Sequence, residues 1–374
     1  MNSFREQAID LLKVNAEAIG QKTATIGIDG FVDKIMRVVK SKNEAGENEF
    51  FNDIGEFGVY VQSKKGMSCG IELCERFTKL GGNAPILANS MGALGIKTNC
   101  VAALGYPEID SIFRGLSQNC SLYTFGNPGY TTALEFNDGK IMLSQRETLH
   151  ALTWKYIKDV LGLEELSDFF TKSDLVGLVN WNSVLRFNEI MRGILDDVLD
   201  GHAPMKNYTM FFDLADVSER SAYDIKECMN LISEFNKYYR VVLGINLNEL
   251  NQIYLSFNKD AALPSLEEMG KYLFNTLTVD AVVVHTLKNS VSFDKDCIEE
   301  VPSLYVKKPK LSTGGGDNFN GGLCLGLMLG FDLKTSMLVA NSVSGFYVRN
   351  GFSPSVENLI DTIRDWDNLI EFED

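Results

Sequence analysis

From about residue 150 onward the chain alternates short apolar runs with longer stretches of helically spaced hydrophobic residues. The runs Leu175–Val179, 210–212, 241–245 and 281–284 are continuous, without a polar position at every second residue. Strands covered on both faces have that pattern. Helical stretches of roughly 15–30 residues lie between them, so the alternation predicts a parallel sheet with helices on both faces. Upstream, Thr23–Ile28 and residues 97–104 read as further buried strands. Residues 130–136 and 140–143 alternate and are joined by Asn137-Asp138-Gly139, a hairpin signal. Residues from about 40 to 75 are polar and glycine-containing, with an alternating patch at 57–62. That is too long for a plain connection and predicts a functional segment. Residues 1–20 place Arg5, Glu6, Asp10, Lys13 and Glu17 among Phe4, Ile9, Leu12, Ala16 and Ile19. This reads as an amphipathic helix, not a secretory signal, because no uncharged stretch is present.

Charge and cysteine usage narrow the function classes. Fifty acidic against 35 basic residues give a net charge of −15. With no basic cluster to offset it, that charge argues against nucleic acid as a partner. The seven cysteines are scattered with no Cys-x-x-Cys, and the three histidines are dispersed. Zinc and histidine-based metal centres are therefore not expected, and reduced thiols point to a cytoplasmic protein. No segment is apolar enough for the roughly 20 residues of a membrane span.

The strongest local signal is Ser312-Thr313-Gly314-Gly315-Gly316-Asp317-Asn318-Phe319-Asn320-Gly321-Gly322, followed by an apolar run to Phe331. A helix apolar on nearly every side is buried, so the glycines stand at the N-terminus of a core helix. Free N–H groups and the positive dipole end there suit a phosphate or a transferring phosphoryl group. Asp317, in the first turn, is placed to take a proton from an attacking hydroxyl, although an N-cap role is equally open. A dinucleotide fingerprint would need glycine at Phe319, and no Gly-Lys-Ser/Thr exists for a P-loop. Asp29 and Asp33 follow the first strand, where open α/β sheets bind ligands or simply make solvated turns. In Gly81-Gly82-Asn83-Ala84-Pro85, Asn83 is suited to cap a helix with Pro85 in its first turn and Gly95 at its end. Asn246 and Glu249, three apart, form a capping pair by spacing alone.

The 312–322 stretch resembles the C-terminal signature of the ribokinase (phosphofructokinase-B) family of carbohydrate and nucleoside kinases. Thr313, Gly314, Gly316, Asp317, Phe319, Gly321 and Gly322 match its common form, Asp-Thr-Thr-Gly-Ala-Gly-Asp-Ala-Phe-x-Gly-Gly. The family's N-terminal signature is matched by Gly81, Gly82, Asn83, Ala84, Ala88, Leu94 and Gly95, with Ile86 in place of a second Asn. The resemblance implies a ribokinase-like three-layer α/β/α sandwich with a mostly parallel central sheet and a small β lid. An N-terminal helix (1–22) would precede a kinase domain (23–374) whose lid comes from roughly 36–75 and 122–146. It implies transfer of the γ-phosphoryl group of ATP, with Mg²⁺, to a hydroxyl of a sugar or sugar derivative. Asp317 would be the base and Gly314, Gly315 and Gly316 the anion hole. Asp33 (or Asp29), Gly81, Gly82 and Asn83 would bind the acceptor. Asn246, Thr286, Thr313 and Asn341 would meet the nucleotide, and Glu249 would serve Mg²⁺. A homodimer through the lid is a further expectation. A nucleoside kinase is the close alternative; Phe31, Tyr60 or Tyr130 would serve either, stacking on a base or lying against a sugar. A sensor that binds without turnover is the alternative from another class, motivated by two departures. Lys288 replaces a glycine near the nucleotide, and Leu311 replaces an Asp that serves a monovalent cation, so potassium activation by that route is not expected.

Overall fold

The continuous apolar runs assemble into one sheet because both of its faces are covered. In this computed structural model, which describes residues 2–371, the strands are β1 (Thr23–Ile28), β2 (Phe31–Lys42), β3 (Asn48–Phe50), β4 (Leu73–Gly81), β5 (Lys97–Ala102), β6 (Cys120–Thr124), β7 (Gly129–Glu135), β8 (Lys140–Gln145), β9 (Leu175–Val179), β10 (Thr209–Asp213), β11 (Arg240–Asn246), β12 (Ala281–His285), β13 (Asn289–Phe293) and β14 (Ile298–Pro302). Met1 and residues 372–374, the extreme ends of the expected N-terminal helix and kinase domain, lie outside the described residues. The large sheet has the order β14-β13-β12-β11-β10-β9-β1-β5-β6. From β12 to β6 every pairing is parallel, and β13 and β14 add an antiparallel edge.

Alternate residues of each strand enter opposite cores. Val176, Leu178, Met210, Phe212, Leu243 and Val282 pack on one face, while Leu175, Val179, Phe211, Val242 and Val283 pack on the other. This three-layer sandwich is the fold expected from the sequence. On the second face lie α1 (Asn2–Val14), α3 (Asn83–Ala93), α5 (Gly315–Met328), α6 (Leu333–Asn350) and α7 (Val356–Arg364). Two more helices used below are α2 (Ile54–Ser63) and α4 (Leu247–Phe257). Helix α5 is buried along its whole apolar run, as its sequence predicts.

A second sheet runs β3-β2-β7-β8, with β4 on the other side of β2. It stands on the loop after β1 and has a small core of its own, Val38, Phe51, Phe57, Leu134 and Phe136. Cys120–Thr124 belongs to the large sheet, so the later part of this second sheet starts at Gly129. The patch at 57–62 is helical, a correction to the alternation read from the sequence. Asp53 caps α2 by accepting from the Glu56 amide, and Phe57, Tyr60 and Val61 then fall at helical spacing. The N-terminal helix pauses at Asn15 and resumes over Ala16–Ile19.

Candidate active site

The parallel strands end along one edge, and the polar residues collect there. Asp29 follows β1, Asn180 follows β9 with φ 59°, and Asp213, Asn246 and His285 end β10, β11 and β12. Helix α5 begins against this edge. Its N-cap Gly314 has φ 92°, a left-handed conformation that side chains disfavour. A Cβ there would also lie 2.7 Å from the Tyr347 hydroxyl, which donates to the Thr313 carbonyl at 2.9 Å. Gly315 donates to the Ser312 carbonyl, whereas the N–H groups of Gly316 and Asp317 find no carbonyl acceptor among the described residues. They are among the orphan donors of a helix start, and that of Asp317 acts on its own carboxyl.

Asp317 is 9% exposed. Burial lifts its carboxyl well above the ordinary carboxylate range, and the charges of Asp213 and Asp29 lift it further. The Asn83 side chain and the Asp317 amide pull it partly back. A carboxylate so placed is a stronger proton acceptor than one in water.

On one side of Asp317 lie Asp33, Gly81, Gly82 and Asn83. Asp33 projects from β2 and is nearly enclosed; burial raises its pKa against the opposing pull of Lys79 and Thr131. Its carboxylate lies flat on Gly81, where a Cβ would come within 2.5 Å of an Asp33 oxygen. Asp29 is deeper. It is fully enclosed and accepts from the amides of Asn83 (3.0 Å) and Ala84 (2.9 Å) and from Asn180 Nδ2 (2.6 Å). Asp29 is thus the cap of α3, and the expectation that Asn83 caps it is corrected: Asn83 is the first helical residue, and Gly82 (φ 91°) is the N-cap. The Asn83 side chain is left to reach Asp317. Burial pushes the Asp29 carboxyl up to about 6 in spite of its three donors.

On the other side opens a cleft of about 760 Å³. Gly315, Gly316 and Phe319 form one wall, and Leu266, Leu304, Val306 and Val348 supply apolar surface. Asn246, Thr286, Lys288 and Asn341 also line it. The Asn341 amide donates to Ser290 Oγ at 2.8 Å, and Thr286 Oγ1 accepts from the amides of Lys288 and Asn289. Thr313 is not in the wall; its carbonyl is taken by Tyr347. His285 is a residue that sequence reasoning passed over. Its ring lies 4.9 Å from that of Phe319, and burial pushes its pKa down to about 4, so it is neutral at pH 7.

Beneath the cleft, Asn246 and Glu249 form the capping pair that their spacing predicts. The Glu249 oxygens accept from the Asn246 amide (2.9 Å) and Nδ2 (2.6 Å), and Asn246 Oδ1 accepts from the Glu249 amide at the start of α4. Burial drives the Glu249 carboxyl well up, and Asp213 drives it further. Asn320 donates to Asp213 at 2.6 Å, while its own Oδ1 is buried without a partner. Asp213 and Asn320 were also missed. Asn320 stands three residues from Asp317 on the same helix, and Asp213 reaches it only through the sheet. Among the described residues no group of three or more metal-binding side chains occurs, and no helix is long and apolar enough to cross a membrane.

Residues 7–366 match the family described as prokaryotic ketohexokinase. The chain belongs to that family. It is 26% identical over 335 residues to a ketohexokinase of Haloferax volcanii, covering 89% of this chain and 88% of that relative. Among solved structures, an Escherichia coli putative ribokinase II in complex with ATP and Mg²⁺ superposes with a TM-score of 0.62 at 14% identity, over 92% of this chain and 99% of that one. A Methanocaldococcus jannaschii nucleoside kinase of the ribokinase family gives 0.59 at 15% identity, over 92% and 98%. The ribokinase-like fold is therefore shared, as the two signatures imply, and membership makes the chain a kinase of the sugar- or nucleoside-phosphorylating kind.

Proposed function

We propose that the protein is an ATP-dependent sugar kinase that transfers the γ-phosphoryl group to a primary hydroxyl of a ketohexose. The observation that carries this is the position of Asp317. It directly follows Gly315 and Gly316 of the cleft wall, and its carboxyl interacts with the Asn83 side chain, which with Asp33 and Gly81 is the side we assign to the acceptor.

The acceptor's hydroxyls are held by Asp33 and Asn83, and Asp29 acts by fixing the start of α3. Asp317 takes the proton of the attacking hydroxyl as the phosphoryl group leaves ADP. The N–H group of Gly316 faces the charge that builds on the phosphoryl oxygens, an effect of roughly 3–4 kcal/mol per donor in measured oxyanion holes. ATP fits the cleft, its phosphates toward the glycines and its base among the apolar residues near Asn341 and Thr286; Thr313 contributes through the loop alone. Asp213 and Glu249, with the orphan Oδ1 of Asn320, are the residues that would hold Mg²⁺, a hard cation that takes oxygen ligands and commonly one or two carboxylates. Mg²⁺ there would neutralise phosphate charge.

A sugar is favoured over a nucleoside by where the aromatic residues lie. Phe31 packs in the core against Gly129, Tyr60 packs on Phe51, and Tyr130 is on the opposite strand face from Thr131. None is offered to a base at the acceptor end. All seven thiols are unpaired, which suits a cytoplasmic setting. We extend the proposal to a homodimer through the second sheet acting as a lid. Phe77, Ile35, Ala133 and Met142 form a cross-strand row on the face that carries Asp33, and Phe77 (45%) and Met142 (47%) are exposed. A second copy would cover that row.

ADP release from MgATP, measured over ketohexoses, aldohexoses, sugar phosphates and nucleosides, tests the reading. Ketohexose should stimulate release, and Asp317→Asn should lower kcat by about 10²–10⁴-fold, the usual worth of a general base. Stimulation by nucleosides alone would replace the acceptor class. Full activity in Asp317→Asn would overturn the mechanism, and silence with every acceptor would overturn the kinase reading.

A further inference from the structure

The face of the second sheet that looks at Asp317 carries one unbroken polar row. In register across four strands stand Lys79 (β4), Asp33 (β2), Thr131 (β7) and Ser144 (β8). Residues paired in this way point to the same side of a sheet. Thr131 and Ser144 share a hydrogen bond at 3.4 Å, and the Thr131 hydroxyl draws the Asp33 pKa down. Lys79 differs from the other three. Its side chain is half-buried, yet among the described residues that side chain makes no hydrogen bond and no direct ion pair. Lys140, the other cation near Asp33, is already paired with Glu135 at 3.1 Å.

A half-buried ammonium held only by the through-space attraction of its cross-strand neighbour Asp33, with no direct hydrogen bond, has donors left for a ligand. What surrounds it indicates the ligand. Asp33 and Asp317 both interact with Lys79 electrostatically, and strand pairing sets it beside Asp33, on the side proposed for the acceptor. A neutral sugar arriving there brings no charge to balance it. The phosphoryl group does, because its transfer leaves a phosphate monoester among the carboxylates Asp29, Asp33, Asp213 and Asp317. Without a cation on the acceptor side, the product's charge would be built up against theirs.

Resting on the kinase reading above, we propose that Lys79 is a further catalytic residue. It contacts the phosphoryl group as that group reaches the acceptor hydroxyl, and it offsets the charge of the sugar phosphate formed. The atom balance is that of the simple transfer. The hydroxyl oxygen bonds to the γ-phosphorus, the bond to the ADP oxygen breaks, and the hydroxyl proton goes to Asp317. Lys79 gives and takes no proton. Burial lowers its basicity, and the carboxylates of Asp33 and Asp317 oppose that.

Steady-state kinetics with the preferred sugar, together with calorimetric binding of that sugar and of its phosphate product, test the role in Lys79→Met, Lys79→Gln and Lys79→Arg. The neutral variants should lose roughly 10²-fold in kcat, the scale of one lost transition-state donor, with the sugar KM changed by less than about threefold. They should bind free sugar as the wild type does and the sugar phosphate at least about tenfold more weakly, while Lys79→Arg keeps most of both. Lys79→Gln decides the matter if the Met variant does not fold. An unchanged kcat with a raised sugar KM would make Lys79 a contact to the free sugar and overturn the proposal, as would neutral variants that match the wild type. A wild type silent on every sugar would instead overturn the kinase reading, and this role with it.

Discussion

Asp317 has to be ionised before it can accept a proton, and its surroundings resist ionisation. Burial is the larger cause and the charges of Asp213 and Asp29 the next, so its pKa stands well above the 3.8 of a free aspartate. The charged form is the active one, and rate is therefore lost as pH falls through that raised value. The acid limb of kcat/KM, which reports the free enzyme, should lie clearly above pH 4. A profile flat down to pH 4 would show that another group takes the proton. Asp317 was legible in the sequence because its signal is local: three glycines, a carboxylate and an apolar run in one short stretch. Lys79 and Asp213 were not, because strand register and sheet crossing bring them to the site and no local pattern records either; Asn320 lies in the same stretch as Asp317, but only its bond to Asp213 on β10 singles it out.

Helix packing sets how closely the elements carrying these residues can approach. Helices α5 and α6 meet backbone to backbone at Gly322, where a Cβ would sit 2.7 Å from the Ala340 Cα and 3.0 Å from the Val339 carbonyl oxygen. Backbone cannot rotate away as a side chain can. Gly322→Ala should therefore destabilise the fold by about 2–3 kcal/mol, the upper range for overpacking, measurable as a lower urea midpoint at an unchanged m-value. A midpoint within error of the wild type would mean the helices separate freely. The elements themselves were legible where composition and burial agree. Parallel strands covered on both faces read as apolar runs, and β9 to β12 fall at or within a residue of the predicted positions. Strand β13 (Asn289–Phe293) escaped because Ser290 and Ser292 point inward, at 0% and 1% exposure, and reverse the expected polarity. One of those serines is there to hold Asn341 at the cleft. Helix α2 was misread because six residues do not separate a period of two from one of 3.6 when the helix covers a curved sheet.

At the scale of the molecule, the proposed dimer would form on the face of the second sheet that carries Phe77 and Met142. Phe77 and Met142 flank the buried Ile35 and Ala133, and the net charge of −15 otherwise keeps copies apart. Sedimentation should show a dimer for the wild type and a monomer for the double variant Phe77→Lys with Met142→Lys, with folding intact. A wild-type monomer at micromolar concentration would remove the dimer and leave the catalytic proposal untouched. The second core joins the extremes of the chain. Ala8 and Leu12 from α1 lie in one cluster with Leu323 and Leu327 from α5 and with Leu359, Ile363 and Trp366 near the end. During synthesis, then, the first helix emerges long before the residues that cover it, and β1 waits for β9, about 150 residues later, to complete its pairing. A ribosome that stops short of residue 333 releases a chain whose α5 has no α6 to lie against. Such a product should be cleared as unfolded protein rather than persist as a weakened enzyme.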